Sequence, residues 1–184
     1  CVEDPLREEA ADAVRELKEA GITKVVMMTG DSERTAAAIA KRVGVDEYYS
    51  EVLPEDKASF VEKEKELGHK VIMIGDGIND SLALSSANVG IAISDGAAIA
   101  REIADVTISA DNLHEIVTLK RLSTALMKRI HNNYRTIIGI NGGLIALGVT
   151  GIIMPTTSAL LHNMSTLTIS LRSMRNLLPK EEEA

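Results

Sequence analysis

Near the N-terminus the apolar positions Ala10, Val14 and Leu17 recur at three- and four-residue spacing, the period of one helix face. DPLREEAADAVRELKEAG therefore predicts a helix, with Asp4 placed to cap it, Pro5 in its first turn and Gly21 to end it. The pattern then changes to a short unbroken apolar run, Val25 to Met28 in KVVMMTGD, which predicts a buried parallel strand ending in a Thr-Gly-Asp turn. SERTAAAIAKRVG predicts a second helix between a Ser32 cap and Gly44. EYYSEVLPEDK reads as an irregular or short extended link, and KASFVEKEKELG as a third helix. Further on, VIMIGDG and NVGIAIS read as strands, NDSLALSSA and GAAIAREIA as helices, and DVTIS as a last short strand. Strands alternating with helices over short links predict an α/β fold with a mainly parallel sheet. In such sheets ligands sit beyond the C-terminal strand ends, and Thr29, Asp31, Asp76 and Asp80 all fall at that edge.

The last third of the chain follows a different pattern. DNLHEIVTLKRLSTALMKRIHNNYR predicts a long helix that runs into TIIGINGGLIALGVTGIIM, uncharged from Thr136 to Met154. That run is about the ~20 residues a helix needs to cross a bilayer core. Pro155 breaks it, and TTSALLHNMSTLTISL continues uncharged to Leu171, with Arg172 and Arg175 able to snorkel. The pattern predicts a membrane hairpin with both ends on one side, its glycines (139, 142, 143, 148, 151) allowing close helix packing; a buried soluble helix is the plainer alternative. Lys120, Arg121, Lys128, Arg129 and Arg135 precede the hairpin and Arg172, Arg175 and Lys180 follow it, so the positive-inside rule places both ends and the α/β domain in the cytoplasm. The expected organisation is an α/β domain over 1–112, a basic connecting helix over 113–135, membrane helices over 136–154 and 156–178, and a solvated tail over 179–184.

The net charge of −7 and the scarcity of aromatics, one Phe, three Tyr and no Trp, exclude a general nucleic-acid binder. One Cys rules out an internal disulfide and fits a reducing compartment. The chain starts at Cys1, not Met, which together with pieces missing from it suggests a fragment of a longer protein.

The candidate chemistry lies in GDGIND and TGD. Asp76 and Asp80, four positions apart, repel each other unless a cation sits between them, and the usual resident for hard oxygen ligands is Mg²⁺, completed by water and phosphate oxygens. Gly75 and Gly77 let the backbone approach an anion, and Asn79 offers an amide. Thr29 supplies a hydroxyl at the other strand end, and Lys57 a point charge for a phosphoryl group. Such a set is what phosphoryl transfer requires. Singly, a GDG is a turn, a TGD a helix cap and a lysine in PEDK a solvated side chain; their order and spacing carry the reading.

At these residues the chain resembles the P-type ATPases, whose phosphorylation domain has the haloacid-dehalogenase fold. The matching pieces are DPLREEA (4–10), MMTGD (27–31), LPEDK (53–57), GDGIND (75–80) and VGIAIS (89–94), in family order and followed by the basic helix and two spans. HNMST and NGG look most like the heavy-metal-transporting branch. The resemblance implies that Thr29 binds the phosphoryl group, with Gly30 and Asp31 completing its loop. It further implies that Lys57 contacts the phosphate, that Asp76 coordinates Mg²⁺ alongside Asp80, and that Asn79 and Asp80 hold that loop. For the transported cation it implies His162, with Ser165, Thr166 and Asn141 beside it. A His in an uncharged span is a functional hypothesis by default; a helix–helix hydrogen bond is the alternative.

The family's phosphorylated Asp in DKTGT, its ATP-binding domain and its Cys-Pro metal motif do not occur in the chain. Leu82 stands where the family usually has Pro, and Asn88 where it often has Asp. In the family fold the nucleophile strand lies between the strands ending at Met28 and Ile74, so the sheet is expected to be incomplete and the fragment inactive alone. The implied function is ATP-driven export or import of a transition metal through an aspartyl phosphate, by an integral protein of the cell membrane. The implied partners are the metal, the lipid bilayer and an upstream part of the chain, with ATP as substrate and Mg²⁺ as cofactor. A soluble phosphatase of the same fold and a silent membrane-anchored module are the rival readings.

Overall fold

The computed structural model describes residues 9–76, 79–93, 102–108 and 113–177. The expected start of the first helix (4–8), Gly77, Ser94, most of GAAIAREIA, and the tail from 178 lie outside the described residues. The chain divides into two compact units, Cys1–Val117 and Thr118–Ala184.

In the first unit, helix α1 (Ala10–Glu19) buries Ala13, and Gly21 takes the turn after it at φ +97°. Strand β1 (Val26–Met28) leads to helix α2 (Glu33–Val43), which stops where Gly44 adopts the left-handed conformation a Cβ disfavours. Ser32 precedes α2 without capping it; its hydroxyl lies 3.1 Å from that of Thr35. The expected link at EYY is strand β2 (Glu47–Tyr49), parallel to β1 and in register Val26↔Glu47 to Met28↔Tyr49. It escaped the sequence pattern because all its residues are exposed, so no apolar alternation marks it. Asp46 fixes the start of this pair: its carboxylate accepts from Val25 N at 2.8 Å and from Lys18 Nζ at 2.8 Å.

Helix α3 (Pro54–Glu66) begins three residues before the expected Lys57. Pro54 occupies its first position, and the Asp56 carboxylate accepts from Leu53 N at 3.2 Å. Lys57 is therefore on the helix's first turn and not in a loop. Strand β3 (Ile72–Gly75), helix α4 (Ser81–Ser86), strand β4 (Val89–Ile93) and strand β5 (Val106–Ile108) follow. The sheet is in two parallel pieces, β1-β2 and β3-β4-β5, so the strands ending at Met28 and Gly75 share no ladder.

The core of this unit sits between α3, α4 and β3. Ala58, Val61 and Ala83 are buried together, with Val71, Met73 and Ala87 packed on them. Leu84 and Ile91 are the other large apolar side chains enclosed here. The close packing is enforced at Gly90, where an added Cβ would lie 2.7 Å from the carbonyl oxygen of Leu84. Asn88, one of the two departures from the family pattern, uses its side-chain oxygen to accept from Val71 N at 2.9 Å, at the entry to β3. Leu82, the other, is exposed.

The second unit contains most of helix α5 (His114–Val149), whose first turns bury Ile116 and Val117 in the first unit, and helix α6 (Pro155–Ser173). Among the described residues no helix is long and apolar enough to cross a membrane. The expected span 136–154 is not one helix: α5 stops at Val149, and the chain turns through Gly151 at φ +70°. The last apolar residues, Ile152 to Met154, fall in the turn. The glycines expected to allow close helix packing do not do so within this chain, since a Cβ at Gly139, Gly142, Gly143 or Gly148 would meet nothing within 4 Å. The two helices are tied instead by polar groups. Arg129 donates to the carbonyls of Ser173 (3.0 Å), Arg175 and Asn176 (2.9 Å), and Asn133 Nδ2 donates to Ser173 Oγ at 2.6 Å.

Two outcomes follow for the intact protein. Gly90→Ala drives a methyl into a backbone oxygen that cannot swing away, and overpacking of that kind costs about 1–3 kcal/mol; thermal unfolding should register it, and an unchanged midpoint would contradict the packing described. The Lys18 bond, with the Val25 amide, holds the Asp46 carboxyl below its usual range. A depressed folded value gives stability that is present above the unfolded value, near 3.8, and lost as pH falls through the folded one. Asp46→Asn should therefore lower the unfolding midpoint at pH 7, and the gap from wild type should close below about pH 4.

Candidate functional site

Two loops at strand ends carry the predicted residues of the first unit other than Lys57, which is on α3. After β1, the chain from Thr29 to Asp31 is pinned by the segment following β2. Thr29 N donates to Tyr49 O at 3.0 Å, Val52 N to Thr29 O at 3.0 Å, and Glu51 N to Asp31 O at 2.9 Å. Within the loop, Thr29 Oγ1 donates to Asp31 Oδ2 at 2.8 Å and accepts from Asp31 N at 3.1 Å. Asp31 therefore orients the threonine hydroxyl. Gly30 is exposed between them. The TGD turn is thus a small self-bonded loop, with its hydroxyl at the strand's C-terminal end.

After β3, Asp76 is exposed. Its two carboxylate oxygens accept from Asn79, Oδ1 from the backbone N at 3.1 Å and Oδ2 from the side-chain amide at 3.1 Å. Asn79 thus fixes the Asp76 carboxylate rather than reaching outward. Asp80 is buried, 9% exposed, directly before α4. Its Oδ1 accepts from Lys57 Nζ at 2.7 Å, an ion pair whose side chains are only 16% and 11% exposed. A charge this enclosed requires a partner, and the first turn of α3 supplies it. Gly75 makes room: a Cβ there would lie 2.7 Å from Asp80 Cβ and closer still to its carboxylate.

The two acids thus have separate duties. Sequence reasoning placed a cation between Asp76 and Asp80; the cation found on Asp80 is Lys57, while Asp76 is held by amides. Among the described residues no three His, Cys, Asp or Glu side chains gather as a metal-binding group. That is compatible with Mg²⁺, which is held by one or two carboxylates plus water and phosphate oxygens. Carboxylate oxygens are the hard ligands that Mg²⁺ takes, so the donor type at Asp76 fits such a cation. Lys57 keeps further N–H donors beyond the one given to Asp80.

In the second unit, His162 Nδ1 lies 2.8 Å from Asn141 Oδ1, which brings together two residues predicted from different helices. A proton on Nδ1 facing that oxygen leaves the Nε2 lone pair for a metal or a proton. Ser165 and Thr166 are committed otherwise: both hydroxyls donate to the His162 carbonyl, at 2.8 and 3.0 Å. Sequence reading missed Glu33, which accepts from Tyr48 OH at 2.8 Å and Ser50 Oγ at 2.5 Å; the Ser50 bond, then the Tyr48 bond, hold its carboxyl below the usual range. Glu33, Asp46, Glu47, Tyr48, Tyr49 and Ser50 line an open groove of ≈ 570 Å³, which contains none of the predicted site residues. Five of these residues are contiguous around β2, and Glu33 joins them from the first turn of α2 through Tyr48 and Ser50, a contact that spacing does not signal.

The family of haloacid dehalogenase-like hydrolases matches residues 1–88. A zinc-exporting P-type ATPase of Mycobacterium marinum is 37% identical over 173 residues, covering 94% of this chain and 24% of that protein. A manganese-exporting P-type ATPase of Mycobacterium bovis is 38% identical over 173 residues, with the same coverage. A crystal structure of a zinc-transporting PIB-type ATPase in its E2.Pi state superimposes with a TM-score of 0.86 at 34% identity, over 96% of this chain and 28% of that one. The chain spans about a quarter of the length of these curated relatives. It carries a haloacid-dehalogenase-like hydrolase domain and is homologous, over nearly all of its length, to the heavy-metal-exporting P-type ATPases.

Proposed function

We propose that these residues are the part of a heavy-metal-exporting ATPase that handles the phosphoryl group and contributes a membrane hairpin. The observation that carries this reading is the enclosed Lys57–Asp80 pair at 2.7 Å, next to the exposed Asp76 carboxylate at the end of β3. In the proposed reaction an aspartate outside these residues accepts the γ-phosphoryl group of ATP and later loses it to water. Thr29, whose hydroxyl donates to Asp31 in this structure, turns that one proton to a phosphoryl oxygen when the group arrives. Lys57, anchored by Asp80, directs its remaining N–H donors at another oxygen. Lys57 is fixed before the charge develops, and such preset donors are a main source of catalysis in phosphoryl transfer. Asp76, held by Asn79, is the residue that would bind Mg²⁺, which neutralises phosphoryl charge when present.

The second unit supports the membrane part of the reading through its surface. Ile138, Ile145, Val149, Leu160, Leu161, Leu167 and Leu171 are all exposed, and an apolar surface of that extent needs a lipid or protein cover. The proposal places α5 beyond Arg135, the turn and α6 in lipid, with turn residues Ile152 to Met154 completing the apolar thickness that α5 lacks. His162 and Asn141 then face the cation path, and the first unit lies in the cytoplasm of a cell-membrane protein. A borderline transition metal suits an imidazole ligand.

In the intact protein, Asp76→Asn should lower metal-dependent ATP hydrolysis by about 10²-fold or more while leaving the thermal unfolding midpoint nearly unchanged. Full activity in that variant would refute the reading. Residues 1–184 alone should show no sustained ATP turnover. After expression, the intact protein should stay in the membrane fraction through alkaline carbonate and be released only by detergent; release by carbonate alone would point to a soluble phosphatase of the same fold.

A further inference from the structure

The charge of the second unit is one-sided. No Asp or Glu occurs between Glu115 and Glu181, so every charged side chain in that stretch is cationic. Arg129 is spent on helix-end carbonyls. Lys128, Arg135 and Arg172 are exposed, and none of them forms an ion pair among the described residues.

Their placement is set by bonds described above. Asn133 bonds Ser173 across the hairpin. Arg135 stands two residues beyond Asn133, toward the turn, and Arg172 stands one residue before Ser173. Because the helices run in opposite directions, both residues lie just on the turn side of that bond and so at one level. Lys128 is seven residues before Arg135, two helical turns on the same face and about 10 Å further from the turn. On the turn side of this level large exposed apolar residues follow: Ile137 and Ile138 on α5, Leu171 and Leu167 on α6. A cationic collar therefore borders an apolar band, over a height comparable with one ~5–8 Å headgroup layer plus a Debye length.

We propose that Arg135, Arg172 and Lys128 form a cationic collar that binds the headgroup phosphates of anionic phospholipids around the hairpin. Each guanidinium can pair its donors with the oxygens of a phosphate, and the surrounding positive potential favours a net negative headgroup over a zwitterionic one. The site rests on the lipid-embedded reading of the second unit. It adds to that reading a preference among lipids, which would hold the hairpin at a fixed depth.

The test titrates intact, detergent-purified and delipidated protein with phosphatidylglycerol or phosphatidylcholine and counts bound lipid by native mass spectrometry. Phosphatidylglycerol should bind about tenfold or more tightly than phosphatidylcholine, and R135Q and R172Q should each weaken it about fivefold. The R135K/R172K protein should keep most of the affinity, which separates charge from folding. Equal binding of the two lipids would overturn the site, as would wild-type affinity in the glutamine variants. Equal competition by sn-glycerol 3-phosphate would overturn its assignment to lipid. Extraction by carbonate without detergent is a different readout and would sink the embedded reading itself.

Discussion

The Lys57–Asp80 ion pair is the constraint around which the first unit is arranged. Asp80 can be buried only because an ammonium reaches it, and the ammonium reaches it only because α3 starts at Pro54 and puts Lys57 on its first turn. Gly75 must lack a side chain for the carboxylate to sit against β3. The pair thus fixes α3 and the N-terminal end of α4 against one strand end, with the Ala58, Val61 and Ala83 core underneath. Removing either partner would leave an uncompensated enclosed charge, among the costliest defects a core can carry.

The same bond explains a division of labour that spacing alone suggests differently. Two acids four residues apart look equivalent in GDGIND, yet one is enclosed with a lysine and the other is exposed and held by amides. Their environments differ in place: Asp76 follows the end of β3 at Gly75 and is exposed, while Asp80 directly precedes α4 and is buried. The proposed phosphoryl chemistry gives each a use, an enclosed carboxylate that steadies the Lys57 ammonium and an accessible one that could hold a metal.

The α/β alternation, the strand ends and the site loops were legible because each is local: an apolar run, a Gly stop, a Thr-Gly-Asp turn. Lys57, Asp76, Asn79 and Asp80 were all named from sequence, but Asn79's role as a clamp on Asp76 and the choice of Lys57 as Asp80's counter-ion are tertiary facts. Strand β2 was missed because its exposed EYY has no apolar alternation, and its identity comes from pairing with β1. In the second unit, the uncharged run from Thr136 to Met154 was read as one helix. Composition cannot report where Gly151 turns the chain, since glycine serves helix packing and left-handed turns alike. His162, Asn141, Ser165 and Thr166 were named through the family resemblance; the back-bonding of the Ser165 and Thr166 hydroxyls to the His162 carbonyl leaves no trace in spacing.

The Arg129 clamp addresses only main-chain oxygens, those of Ser173, Arg175 and Asn176. The closure of the hairpin's open end is thus indifferent to which side chains follow α6, provided the backbone there keeps its course. The exit from the last helix is free to vary in composition, and the guanidinium alone carries the sequence requirement for that anchor.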